Sequence, residues 1–331
     1  MADENFGRTY ILKAGPMKKK GFVIGNTSGE LSQDVLHISF SVEKADTETS
    51  NTAKVQIWNL SPQNLAILEK EKTIIELKAG YKSWMPLILV GSVTSVVTEL
   101  DNADRMTEID VVDGYIQLRD TVIIISKKKR IGSKALYQLI AQKTGMDIMF
   151  GEKLKFKTYP RGFSYIGKAS GALDKLKRFN KHAWTIQNEV IQITNPGHPL
   201  KYTKAFKLSP ETGLLGYVKK ITQASKEKDD ENKSGYEIQY FLNGVINVND
   251  VVVLDGHEVT GKPVKGKFRV QKISMEGDNF DGDWICTAEV VKIKDKKKKK
   301  SSGKKDSKSD SKGSTLESSN SSSRIQSRSA S

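Results

Sequence analysis

The densest group of potential metal ligands in this 331-residue chain lies between Glu276 and Asp283, where four carboxylates fall within eight residues. Carboxylates and backbone carbonyls together could hold Ca²⁺. The spacing does not match an EF-hand loop, however, and Gly277 and Gly282 suit a turn between two strands. We therefore predict a turn and no metal, with three weak candidates for a cation site: Asp278, Asp281 and Asp283.

Histidine, which serves most acid–base and zinc chemistry, is scarce and scattered here. The four histidines lie in separate segments, and His37 falls on the polar phase of a strand, so we expect it at the surface. Asp110 and Asp113 interrupt an apolar strand, yet nothing places a third carboxylate beside them, so we expect edge or turn residues. There is no nucleophile elbow, phosphate-binding glycine loop or zincin motif. The sequence predicts neither an enzyme nor a cofactor.

The single cysteine, Cys286, lies in an apolar stretch. One thiol cannot form an internal disulfide, so we expect a buried, inert side chain. The N-terminal residues lack a basic segment followed by an apolar one, which argues against a secretion signal. No apolar run reaches the length of a membrane span. We therefore expect synthesis in the cytoplasm, a soluble chain and no membrane span.

Much of the net charge of +15 comes from residues 294–331, which hold twelve Lys or Arg against four acidic residues. The segment is rich in Lys, Ser and Gly, and its only sizeable aliphatic residues are Leu316 and Ile325. Ordering a backbone costs roughly 1–2 kcal/mol per residue, so we predict a disordered tail. Such a tail could bind polyanions or dock onto an acidic partner. Its candidate interaction residues are Lys296, Lys297, Lys298, Lys299 and Lys300.

The first third of the chain predicts antiparallel β-structure with one short helix. Residues 36–43 alternate between apolar and polar side chains, which is typical of a half-buried strand. Ser61 is a suitable N-cap and Pro62 a suitable first helical residue. The remaining strand candidates are residues 55–57, 73–79, 87–98 and 106–112. These elements predict a small barrel or sandwich.

The middle third changes to the helical period. Ser133 could cap a helix that ends at Gly145, and a second helix begins near Ser170. Residues 184–193 indicate a tight hairpin whose turn is Asn188-Glu189. We predict a small α/β domain, which a proline-containing linker closes at residues 195–199.

The last ordered third returns to β-structure, with strand candidates at residues 214–221, 236–242, 251–254, 267–274 and 284–293. The predicted fold class is α+β, mainly β, with two tube-like β-barrel or sandwich domains flanking a small α/β domain. The order β, α/β, β suggests that the two β-domains are related. The predicted domains are residues 1–120, 121–200 and 201–293, followed by the disordered tail at 294–331.

Three groups of motifs resemble one family in the right order. Residues 50–61, with the pattern NTA-x-V-x-I-x-N-L-S, precede a short helix and residues 75–81, and residues 94–120 match the same domain's closing strands. Residues 164–165, 172–176 and 184–187 are similar to an α/β insert. Residues 213–216, 240–243, 251–254, 266–270 and 276–284 are similar to a last β-domain. Over about residues 30–293 the chain resembles T4-type baseplate hub and tail-tip proteins of contractile-tailed phages.

The resemblance implies a structural virion protein. It implies a ring, usually trimeric, whose two tube-like domains per subunit mimic a six-fold tail tube, join it to the spike or tip and line the DNA path. The implied partners are further copies of the chain, the tail tube protein, the spike or tip protein, other baseplate proteins and passing genomic DNA. Two other functions stay open: nucleic-acid binding through the basic tail, and a part in cell-wall hydrolysis.

Overall fold

The computed structural model describes residues 7–16, 19–27, 35–48, 50–82, 84–114, 116–222 and 234–293. The predicted disorder of the tail and its candidate interaction residues, Lys296–Lys300, concern a segment that lies outside the described residues. The described part is mainly β, as the sequence predicts, with three α-helices among its elements.

Among its described residues the N-terminal region has seven strands and one helix. The strands form because apolar residues recur in them at every second position. Ser61 caps the helix and accepts a hydrogen bond from the backbone of Asn64. This confirms the predicted cap. The elements are β1 (Arg8–Pro16), β2 (Phe22–Asn26), β3 (Ile38–Ala45), β4 (Thr52–Trp58), α1 (Pro62–Leu68), β5 (Thr73–Tyr81), β6 (Leu87–Asp101) and β7 (Asp104–Val112).

The central region has its own apolar core between two helices and short strands. The predicted cap at Ser133 is wrong: Gly132 is the N-cap, and the buried Ser133 hydroxyl donates to Asn180 instead. Gly145 ends the helix in the left-handed conformation, as predicted. After a π-helical turn (Ile116–Asp120), the elements are β8 (Val122–Lys127), β9 (Ile131–Gly132), α2 (Ser133–Thr144), β10 (Asp147–Phe150), β11 (Thr158–Tyr159), β12 (Phe163–Lys168), α3 (Ala169–Asn180), β13 (Ala183–Gln187) and β14 (Val190–Thr194).

The C-terminal region is again built of strands. A 3-10 turn (Pro210–Thr212) follows its first strand. The strands are β15 (Ala205–Leu208), β16 (Leu214–Thr222), β17 (Ser234–Phe241), β18 (Val251–His257), β19 (Pro263–Asp278) and β20 (Trp284–Lys292).

The strands of the two β regions join in one sheet. Its order is β16-β17-β20-β19-β3-β4-β7-β6-β5-β1-β2. Outside this path, β18 pairs with β19, and β15 pairs with β18. This order is an open path, so a barrel closed by hydrogen bonds is not found among the described strands. One apolar core contains side chains of both regions, such as Val42 and Met275. The sandwich or tube-like form of each region, and the domain boundaries, stay predictions.

The two β regions contain the same strand order. Strands β3 to β7 are arranged as β5-β6-β7-β4-β3, and strands β16 to β20 as β18-β19-β20-β17-β16. In each set the first two strands along the chain form a hairpin. Three further strands follow, and the last of them pairs with the second strand of the hairpin. We call β3–β7 the first repeat and β16–β20 the second repeat. The repeat is one of topology, and the sequence suggested it only through the order of β and α/β segments.

Candidate functional site: the seam between the two repeats

The seam is the pairing of β3 with the second half of β19. Seven residue pairs run antiparallel, from Lys272 opposite Ala45 to Asp278 opposite Ser39. The first half of β19 pairs with β18 along the same edge, and an irregularity after Val270 marks the change of partner. There the backbone of Asp46 donates to Gln271 at 3.0 Å. One 16-residue strand thus joins both repeats.

Close packing at the seam depends on Gly277. A Cβ at this position would lie 2.3 Å from Cζ of Phe40 and 2.9 Å from the ring of Trp284. The two rings meet edge to face with centroids 5.5 Å apart, and the Trp284 indole donates to the carbonyl of Gly80 at 3.0 Å. Glycine lets the aromatic rings reach the strand backbone, so the seam is filled on its core side.

The acidic segment that follows β19 is a turn closed by protein groups. Oδ1 of Asp278 accepts hydrogen bonds from the backbone N–H of Phe280 at 2.9 Å and of Asp281 at 3.1 Å. The guanidinium of Arg8 donates to the carbonyl oxygens of Asp278 and Gly282. Backbone carbonyls are among the oxygen ligands that a calcium ion binds, and Arg8 occupies these two. Within the described residues no three His, Cys, Asp or Glu side chains are grouped to hold a metal, and Asp278, Asp281 and Asp283 form no such set.

His37 lies in the seam rather than freely at the surface. Its ring stacks on Trp58 with a centroid distance of 3.8 Å, and its Nε2 lies 3.0 Å from the carboxylate of Asp278. The ring is half-buried. The side chain is 27% exposed, so the predicted surface position is correct in part. The contact with Asp278 was not predicted, because that partner comes from the other end of the chain, which strand periodicity cannot indicate.

One face of the sheet along the seam is polar and mainly acidic. A shallow hollow of about 250 Å³ lies on it, with Ser39, Gln56 and Glu276 among its lining residues. The outward side chains of β3, β4, β7, β17, β19 and β20 include more carboxylates than lysines. The carboxylates are Glu43, Asp104, Glu108, Asp110, Glu237, Glu276, Asp278 and Glu289, and the lysines are Lys54, Lys265, Lys267 and Lys272.

The α/β region is held against the first repeat through a buried carboxylate. Asp113 accepts hydrogen bonds from the backbone N–H of Asn188 at 2.6 Å and of Glu189 at 2.7 Å. These two residues form the predicted tight turn, with φ of 52° and 61°. The side-chain amide of Asn51 donates to Asp113 and to the carbonyl of Ile186. Burial raises the pKa of Asp113, although these hydrogen bonds oppose the shift.

Two buried cations complete this junction. Lys44 donates to the side-chain oxygen of Asn188 at 2.8 Å, and burial lowers the pKa of Lys44 to about 8. Arg269 donates to Asp46 at 2.6 Å and to Asn249 at 3.0 Å. The first repeat, the α/β region and the second repeat are thereby linked by polar contacts in buried positions. Sequence reasoning missed these residues, although Lys44 falls on the apolar phase of β3, which is a readable signal of a buried charge.

Within the described ranges, the remaining sequence candidates are not grouped in one site. Cys286 is fully buried, and burial raises the pKa of its thiol to about 12, so the prediction of a buried thiol is confirmed. Asp113 is buried in the junction, whereas the nearby Asp110 lies on the outward phase of β7. Among the described residues, no helix is both long and apolar enough to cross a bilayer.

Comparison with known proteins defines a fold class. No family model matches the chain, and no curated protein matches its sequence. Solved structures do match it, and they include phage tail proteins and a component of the type VI secretion system. The chain therefore has the fold of phage tail proteins, and the resemblance to hub and tail-tip proteins is confirmed at the level of fold.

The 43 kDa tail protein of prophage MuSo2 from Shewanella oneidensis matches with a TM-score of 0.53 and 12% identity, covering 86% of this chain and 96% of that one. The tail protein from Neisseria meningitidis MC58 matches with a TM-score of 0.53 and 8% identity over the same shares. The Escherichia coli c3393 protein, a component of the type VI secretion system with structural similarity to T4 tail proteins gp27 and gp5, has a TM-score of 0.52 and 10% identity. That match covers 80% of this chain and 75% of that one.

Proposed function

We propose that this chain is a structural, non-enzymatic protein of a phage tail. In this proposal it forms the baseplate hub or tail-tip ring as a homotrimer, joins the tail tube to the spike and lines the passage for DNA. Its location would be the virion, and its partners would be the tail tube protein, the spike or tip protein and other baseplate proteins. The fold shared with phage tail proteins supports this role.

The observation that carries the proposal is the duplicated strand order. Each chain contains two five-strand units of the same topology, joined edge to edge through β3 and β19. Three chains would present six such units, which matches the six-fold symmetry expected of a tail tube. A symmetric ring also covers strand edges that would otherwise promote uncontrolled pairing.

The outward face of the seam supports a role as a DNA conduit. A wall lined with lysine and arginine would bind DNA phosphates and slow its passage. This face instead carries more carboxylates than lysines, including Glu108 and Glu276 beside Ser39 and Gln56. We propose that it faces the lumen of the ring.

Deleting the coding sequence from the genome that carries it tests the proposed role. We expect particles whose tails lack the tip, seen by negative-stain electron microscopy, and full rescue by a plasmid copy. Purified wild-type particles should contain the chain in about three copies per tail by quantitative mass spectrometry, as the implied trimer requires. Normal, infectious tails without the chain would overturn the proposal.

The basic tail favours a second function, binding of nucleic acid. A chain ending at Ile293 separates the two possibilities, because it lacks all twelve basic residues of the tail. One outcome is that the full chain binds DNA strongly and in a salt-sensitive way while the shortened chain does not. If the shortened chain also assembles normal phage tails, DNA binding belongs to residues 294–331 alone. Strong binding that the shortened chain keeps would favour a nucleic-acid-binding body and contradict a lumen of low affinity.

A further inference from the structure

The two repeats can be aligned residue by residue through matching backbone hydrogen bonds. Trp58 N donates to the carbonyl of His37 at 3.0 Å, and Phe241 N donates to that of Gly213 at 3.0 Å. One residue later, Asn59 N donates to Arg105 and Leu242 N donates to Trp284. These pairs occupy the same places in their repeats, so β3 corresponds to β16, β4 to β17 and β7 to β20.

The long strands correspond as well. Strand β6 pairs with β5 near its start and with β7 along its second half, with an irregularity after Val93. Strand β19 pairs with β18 near its start and with β20 beyond, with an irregularity after Val270. Alignment of the two irregularities places residues 95–101 of β6 at the position of residues 272–278 of β19.

The equivalent edges differ in one respect. In the second repeat, the edge of residues 272–278 is paired with β3. In the first repeat, the corresponding edge of residues 95–101 pairs with no strand in the part of the chain that the structure describes. Strand β16, the counterpart of β3, also has no partner on its outer edge among the described strands. Each chain thus offers both halves of a seam.

We propose that β16 of one copy pairs antiparallel with residues 95–101 of β6 in the next copy, and so repeats the seam between subunits. The inference rests on the proposed ring and names the surface through which it assembles. The contact joins two different surfaces, so it continues from copy to copy and closes into a ring when the rotation permits. If the intersubunit seam has the geometry of the internal one, all six repeats become equivalent.

The register of the internal seam fixes the register of the new one. Ser41 lies opposite Glu276 in the seam, and Lys219 and Glu99 are their counterparts, so the proposed pairing would place opposite charges across from each other. Glu43 lies opposite Ser274, and the counterparts are Ile221 and Val97, an apolar pair. The alignment of the two repeats determines which positions face each other, and the residues at these positions are complementary in charge or polarity.

Exposed apolar side chains also lie on both of these strands. Leu100 is 78% exposed and Val97 46% exposed on β6, and Tyr217 is 62% exposed on β16. Phe241, at the end of the neighbouring β17, is 39% exposed. The alignment places Leu100 opposite the irregular segment of β16 that contains Tyr217. Strand pairing would remove this apolar surface from water, which stabilises association.

Cysteine cross-linking tests the register in the full chain. The variant Val97→Cys with Ile221→Cys should form disulfide-linked dimers and trimers on mild oxidation, since opposite residues in antiparallel strands lie within disulfide reach. The matched control, Val97→Cys with Lys220→Cys, is one residue out of register, so its thiols point to opposite faces and should not cross-link. Cys286 is buried and does not interfere.

Charge reversal gives an independent readout that does not rely on thiols. Glu99→Lys alone should weaken self-association, measured by analytical ultracentrifugation, by about tenfold or more because it faces Lys219 across the interface. Adding Lys219→Glu should restore most of the affinity. Circular dichroism and thermal unfolding of each variant would report whether the fold itself has changed.

The outcomes separate this inference from the proposed function. Cross-linking by the in-register pair alone, together with charge rescue, supports the intersubunit seam. A stable trimer without that cross-link and without any effect of Glu99→Lys would overturn the seam but leave the ring. A wild-type chain that stays monomeric at high concentration, with no cross-link in the in-register variant, would overturn the seam. The deletion experiment would then still decide the role in the tail.

Discussion

Lys44 and Asn188 lie 144 residues apart, yet Nζ of the buried lysine donates a 2.8 Å hydrogen bond to the partly buried asparagine side chain. The contact joins an inward-facing position of β3 to the turn between β13 and β14. It places a cation where water is excluded, which is tolerable because Asn188 and the nearby Asp113 provide polar partners.

The buried lysine predicts a rise of stability in mildly alkaline solution. Its pKa is lowered to about 8 in the folded chain. Between pH 8 and the ordinary pKa of a lysine side chain, the unfolded chain binds more protons than the folded chain. The free energy of unfolding therefore increases with pH in that window. Relative to Lys44→Met, the wild-type chain should gain about 2 kcal/mol between pH 7.5 and 10. Urea unfolding at a series of pH values measures this difference, and Lys54→Met, at an exposed position, is the control. A pH-independent difference would contradict the prediction.

The carboxylate of Asp113 predicts a large, local effect on stability. Asp113→Ala removes the acceptor for the backbone N–H groups of Asn188 and Glu189, and buried donors without partners are costly. We expect a loss of about 2–4 kcal/mol in urea unfolding. The matched change Asp110→Ala, on the outward phase of the same segment, should cost about 0.5 kcal/mol or less. Equal losses for both variants would show that Asp113 does not hold the turn.

The close packing around Gly277 can be tested by adding a side chain at this position. Gly277→Ala would place a methyl group against the rings of Phe40 and Trp284, and overpacking of this kind costs about 1–3 kcal/mol. Gly132→Ala is the matched control, because a Cβ there meets no atom within 4 Å. Combining Gly277→Ala with Phe40→Leu should recover part of the loss. An unchanged melting temperature for Gly277→Ala would mean that the seam is loosely packed.

Arg8 predicts how the acidic turn responds to ions. Its guanidinium bonds two carbonyls of the turn, so Arg8→Met should speed amide hydrogen exchange at residues 280–282 by about tenfold. Millimolar calcium should leave the melting temperature of the wild-type chain unchanged. Arg105→Met, on the exposed part of β7, is the control for loss of a positive charge. Stabilisation of the wild-type chain by calcium would instead restore Asp278, Asp281 and Asp283 as a cation site.

Local patterns predicted much of the fold. The alternation in β3, the Ser61 cap and the Asn188-Glu189 turn each depend on a few neighbouring residues, and each is found in the structure. Ser133 was misassigned because its hydroxyl bonds Asn180, a partner 47 residues away.

The seam itself could not be predicted from local patterns. Residues 263–278 are one strand with two partners on one edge, and only the complete sheet determines which half meets β3. The partners of His37 and Lys44 are likewise distant in sequence. The inward phase of Lys44 was the one local signal, because a charge at that position requires a buried partner.

The antiparallel pairing at the seam also determines how the protein would respond to mechanical load. The hydrogen bonds between β3 and β19 run across the strands. A pull along the strand direction would therefore strain all of these bonds together, whereas a pull at one end would break them one after another. If a particle transmits force along these strands, all of the hydrogen bonds bear the load together, which is the stronger of the two arrangements.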